Sequence, residues 1–128
     1  MSVARPEQVA RTLFEAYAAG DLATMRGCLT DDLVGWITNR DGGVGRTDGA
    51  DAYLSRLPDL SEAELEVGIT QVLGIDDERA MVMVAIRATR HGKDLHNYAA
   101  FLVRVEDGRV VELWMVEAQP AYSDEFWS

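Results

Sequence analysis

Cysteine is all but missing from this chain: Cys28 stands alone among 128 residues. No intrachain disulfide can form, which fits a reducing compartment, the cytoplasm. Basic side chains are scarce too. Twelve Lys and Arg face 22 Asp and Glu, a formal net charge of −10, and no segment carries a basic stripe. Neutralised phosphates supply most non-specific affinity for nucleic acid, so neither nucleic acid nor an anionic membrane is an expected partner. No apolar run approaches the roughly 18 residues that a spanning helix needs. Arg5, Glu7 and Arg11 interrupt the stretch where a secretory leader would carry its apolar segment. Repeats, linkers and low-complexity tracts are absent, so residues 1–128 read as one domain.

What is present is a helical beginning followed by long strands. Arg5–Ala19 has Pro6 where a missing N–H costs nothing, and Val9, Leu13, Phe14 and Tyr17 at three- and four-residue spacing. Gly20 suits the left-handed residue after the helix, and Asp21 caps a second one carrying Leu22, Met25, Cys28 and Leu29. Leu33–Thr38 reads as a short strand and Asn39–Thr47 as a glycine-rich loop. Asp48 with Asp51 resembles a capping box opening a short helix through Tyr53, Leu54 and Leu57 that stops before Pro58. Ser61–Glu64 is a turn, and strands follow at Leu65–Ile75 and Arg79–Arg90.

The most informative stretch is Asp94–Gln119, two strands joined at Glu106–Asp107–Gly108, where Asp-Gly between apolar runs signals a hairpin. Side chains alternate along a strand. Arg104 and Glu112 therefore mark even positions as outward, and Asn97, Phe101, Met115 and Glu117 face inward. Yet the outward set, Tyr98, Leu102, Trp114 and Val116, is also apolar, joined by Met81 and Met83 from the strand before. Both faces must be covered, one by helices around a ligand cavity and the other by a second copy of the chain. Helices first and meander strands later make the class α+β: a cone-shaped, curved sheet wrapped around N-terminal helices.

Five segments carry a resemblance: AYAAGDL at Ala16–Leu22, DDLVGW at Asp31–Trp36, GRTDGADAYLSRL at Gly45–Leu57, RVEDGRVVELW at Arg104–Trp114 and DEFW at Asp124–Trp127. In these the chain is similar to the SnoaL-like group of the nuclear-transport-factor-two-like superfamily, which includes ketosteroid isomerases. The resemblance implies a cystatin-like roll enclosing an apolar cone, a homodimer paired through the sheet, and cofactor-independent chemistry on a hydrophobic small molecule: isomerase, cyclase, dehydratase or epoxide hydrolase. Other members only bind or assemble. Aligned on GDL and the late hairpin, the ketosteroid isomerase tyrosine, base aspartate and protonated aspartic acid fall on Leu13, Ile37 and Phe101. All three are apolar, so that mechanism is not carried over.

The residues themselves offer these candidates. Glu117 is expected inside an apolar cone, where desolvation would raise its pKa and poise it as general acid or base; the alternative is a strand that frays by Ala118 and leaves the carboxylate in water. Asn97 either polarises a ligand carbonyl or caps loop backbone. Tyr17 either reaches the cone from helix one or satisfies its hydroxyl elsewhere. Phe14, Phe101 and Met115 are expected on the cavity wall, and Trp36 and Tyr53 either there or in the core, although Trp36 has the parity opposite to Ile37. His91 and His96 flank Asp94 at a spacing that matches no established metal motif, so neither a metal nor a cofactor is expected. Gly42–Thr47 lacks the glycine spacing, the lysine and the context of a phosphate loop. Cys28 reads as core filler.

Overall fold

The computed structural model describes residues 5–38, 43–57 and 64–127, without the Asp124 side chain. The elements in chain order are α1 Pro6–Ala18, α2 Leu22–Gly27, β1 Leu29–Thr38, β2 Val44–Asp48, α3 Ala50–Ser55, β3 Glu66–Gly74, β4 Arg79–Arg90, β5 Lys93–Glu106, β6 Arg109–Glu117 and α4 Pro120–Trp127. The six strands form one curved sheet in the order β2-β1-β6-β5-β4-β3. Neighbours are antiparallel except β1 and β6, which run parallel, so the sheet is mixed.

Local chemistry explains the joints. Gly20 takes φ 73 and closes α1; its N–H reaches Tyr17 O, and that of Asp21 reaches Ala16 O, the pair of bonds that satisfies a helix's last carbonyls. The Asp21 carboxylate then accepts from Thr24 N at 3.1 Å and starts α2. Asp107 (φ 51) and Gly108 (φ 77) form the two-residue turn between β5 and β6, and His91 (φ 51) and Gly92 (φ 75) do the same between β4 and β5. Positive φ at both central residues gives the turn whose twist matches paired strands.

Several boundaries differ from the sequence expectation. Cys28 is the C-cap of α2, and Leu29 opens β1 instead of extending the helix. The reason is pairing: Leu29 meets Val110 of β6, so sheet contacts override a continuous apolar helical stripe. Within the expected glycine-rich loop, Val44–Asp48 is an edge strand paired with β1; its glycines hid the strand pattern. Asn39–Gly42 and most of the expected Ser61–Glu64 turn lie outside the described residues. Gly49 (φ 97), not Asp48, is the N-cap of α3. Asp48 instead ends β2 and accepts from Arg46 Nε at 2.9 Å.

The core lies between α1 and the inner face of the sheet, where Leu13, Val82, Val84, Val103 and Leu113 are fully buried. Tyr53 of α3 lies flat on β1. A Cβ at Gly35 would stand 2.6 Å from its ring, so glycine is what admits α3 this close. At the far end, Phe126 of α4 packs with Leu65, Ala88 and Leu95. The Tyr122 hydroxyl donates to Asp94 O at 2.6 Å and ties α4 to the start of β5. No described helix is long and apolar enough to cross a membrane.

Candidate functional site

Between the sheet, α1 and α4 the packing opens into a cavity of about 940 Å³. Phe14 on α1 and Phe101 on β5 form one wall, their ring centroids 4.5 Å apart and inclined at 49°. Ile37 and Met115, paired in register on β1 and β6, form another. Thr38 extends this wall, its hydroxyl already donating to Met115 O at 2.7 Å. α4 closes one side with Pro120, Ser123 and Trp127, and Arg56 and Leu57 border the cavity after α3.

Polar groups are few. Glu117 and Tyr17 both line the cavity. Glu117 is the last residue of β6, half-buried and opposite Ala99, so the strand has not frayed there. Its Oε2 accepts from the Asn97 Nδ2 at 3.4 Å.

Asn97 is the first correction. It is fully buried, 0 % exposed, and on the inner face as parity requires, yet it does not line the cavity. Its Nδ2 also donates to Gln119 O at 3.3 Å, and its Oδ1 accepts from Tyr98 N at 2.9 Å. Residues 117–119 cross over the amide and consume it, so it holds Glu117 and the strand end, not a ligand carbonyl. Trp36 is the second. It lies on the outer face, with its indole N–H donating to Glu112 Oε2 at 3.0 Å and the Arg46 guanidinium 5.5 Å from the ring centre. Tyr53 is the third, a core residue beneath β1 and not a wall of the cavity. Phe14, Phe101, Met115, Tyr17 and Glu117 stand together around one space; Trp36 and Tyr53 do not join them.

Burial pushes the Tyr53 hydroxyl well above its ordinary range, and the nearby Tyr17 adds to the shift. A group whose folded pKa is raised keeps its full stabilisation below the unfolded value and loses it as pH climbs towards the folded one. Stability is therefore expected to fall from about pH 10 upward. Cys28, raised by desolvation, contributes in the same sense. Tyr53→Phe is expected to remove most of that alkaline slope. Tm measured across the alkaline range for both proteins checks this; equal slopes would contradict it.

Arg56 was not legible as a site residue, because a charged residue at a helix end normally faces water. Its anchor, the Thr47 hydroxyl, sits on the strand concealed by glycines. Ser123 was missed because α4 carries no strong apolar periodicity. Among the described residues no group of three or more His, Cys, Asp and Glu converges as a metal site.

Comparisons with known proteins agree with this geometry. The profile of the SnoaL-like domain matches residues 10–113. Uncharacterized protein Rv0034 of Mycobacterium tuberculosis is 31% identical over 121 residues, 92% of each chain. Among solved structures, Bal32a from a soil-derived mobile gene cassette superposes with a TM-score of 0.83 at 22% identity, covering 94% of both chains. A putative SnoaL-like polyketide cyclase from Jannaschia sp. CCS1 gives 0.75 at 14% identity, covering 98% of this chain and 96% of that one. An epoxide hydrolase of the LEH-like type from M. tuberculosis gives 0.73 at 18%, covering 95% and 89%. At these identities the structural matches speak for the fold. The profile match and the mycobacterial relative speak for descent: the chain belongs to the SnoaL-like domain family.

Proposed function

We propose that the protein is a cofactor-independent enzyme acting on a hydrophobic small molecule by proton transfer, as isomerase, cyclase or hydrolase. The observation that carries this reading is a carboxylate on the lining of an otherwise largely apolar cavity of about 940 Å³, large enough for a polyketide- or terpenoid-like ligand. Glu117 serves as acid and base. As base it takes a proton from a carbon beside a carbonyl, and as the resulting acid it returns that proton to another carbon of the same ligand. Asn97 is a positioning residue that acts through Glu117, and Tyr17 orients the ligand oxygen. Relatives of this fold that carry the names polyketide cyclase and epoxide hydrolase support the same range of chemistry.

The test is turnover of a panel by the purified protein: solvent deuterium uptake by apolar enolisable ketones, and hydration of apolar epoxides. Catalysis above buffer of one class is the expected result. Binding without turnover across the panel would favour the second reading, a non-catalytic binding module, which draws on the apolar Leu13, Ile37 and Phe101 noted above.

The outer sheet face supports pairing with a second copy of the chain. Registers align Trp36, Trp114, Leu102, Met81 and Leu73 in one row from β1 to β3. Val116, Tyr98 and Met83 beside it are 60%, 53% and 41% exposed. A continuous apolar face of this kind is unusual on a monomer, and a like-for-like face is what a two-fold dimer uses. Light scattering at micromolar concentration is expected to give twice the chain mass, and Trp114→Glu to give the single mass. A monomeric parent protein would contradict the pairing.

A further inference from the structure

Among the described residues Arg56 is the one arginine or lysine on the cavity lining, and that position, together with the anchor that holds it there, sets it apart from other arginines without an ion pair, such as Arg87. Arg26, Arg46, Arg79 and Arg104 each lie within ion-pair distance of an acidic side chain. Among the described residues Arg56 faces no such partner; its hydrogen bond runs from Nη1 to the Thr47 hydroxyl at 2.6 Å. Thr47 is only 8 % exposed and belongs to the inner row Thr47–Gly35–Leu113, so the guanidinium is fixed at the cavity by a buried anchor. A guanidinium has five donors in a planar fork, and among the described residues only Nη1 is engaged.

We infer that the cavity takes an amphipathic organic acid, an apolar body whose carboxylate pairs with Arg56; this rests on the ligand cavity of the proposed function. The layout separates the two charged functions. Glu117 lies four residues beyond Leu113 on β6, roughly 13 Å along the strand from the row that anchors Arg56. A carboxylate held at Arg56 therefore leaves the ligand's apolar body across Phe14, Phe101 and Met115, with Glu117 at the other end. The chain's net charge of −10 disfavours anions in general, so selection of an acid has to come from this local contact.

Decanoate and decanol share their apolar body and differ in the head group. Displacement of the neutral dye N-phenyl-1-naphthylamine, read by fluorescence, gives the affinity of each for the parent protein, Arg56→Gln and Arg56→Lys. Arg56→Gln is expected to weaken decanoate about tenfold or more, the scale of a lost charge-assisted hydrogen bond, and to leave decanol within about twofold. Arg56→Lys should fall between, keeping the charge without the fork. Unchanged decanol binding shows that the variants are folded. Decanoate bound as tightly by Arg56→Gln as by the parent protein, with decanol binding unchanged, would overturn the inference and spare the proposed function. So would an equal loss of decanoate and decanol in a variant whose far-UV circular dichroism and Tm match the parent protein. Failure of both probes and the dye to bind the parent protein would overturn both.

Discussion

Glu117→Gln is expected to lower kcat by about 10²- to 10⁴-fold on whatever substrate the parent protein turns over, the range attributable to one positioned acid–base group. The amide is isosteric with the carboxylate, and Asn97 Nδ2 still finds an oxygen to donate to. The strand end and α4 are then undisturbed, and the affinity for a neutral apolar ligand should change by less than about threefold. That split matters: an interaction made equally with bound substrate and transition state alters KM, whereas loss of a proton-transferring group lowers kcat. Undiminished turnover would remove Glu117 from the chemistry even if the cavity binds ligands as proposed.

Two substitutions on β6, two residues apart on the same face, are expected to behave very differently. Leu113 is fully buried in the packed part of the core, with no solvent contact. Met115 is partly buried and already borders the cavity. Leu113→Ala should cost about 2–5 kcal/mol, because the lost transfer energy is joined by a new void that its surroundings cannot refill. Met115→Ala only widens a space already present, so its cost should stay nearer the transfer part, about 1–2 kcal/mol for the methylenes removed. Ligand affinity should show the reverse order, with Met115→Ala weakening apolar binding more. Urea unfolding of both variants measures the first contrast; equal costs would mean that the cavity wall is packed as tightly as the core.

Much of this layout was readable from single residues. Arg104 and Glu112 alone set the faces of β5 and β6, and that parity placed Phe101, Met115 and Glu117 on the inner side, where they line the cavity. The Asp-Gly pair carried the β5–β6 turn because positive φ demands such residues, and His91–Gly92 closes the β4–β5 turn in the same way. Parity says which face a side chain takes, but not what lies over it. Asn97 was correctly inward yet already covered by the chain at Gln119. A bulge between Arg104 and Val105 turns Val110 into the core, against the alternation counted back from Glu112. Edge strand β2 was masked by Gly45 and by glycines around it, and with it went Thr47 and the Arg56 guanidinium that Thr47 holds at the cavity. Long-range pairing, not local propensity, decided those places.

A crystal structure of the protein soaked with N-phenyl-1-naphthylamine tests most directly whether this cavity is a ligand site addressed by a carboxylate. The expected density lies between Phe14, Phe101 and Met115, with the Glu117 side chain in contact with the dye. Those three side chains closed over the space with no room for the dye, or Glu117 turned to bulk solvent, would contradict it.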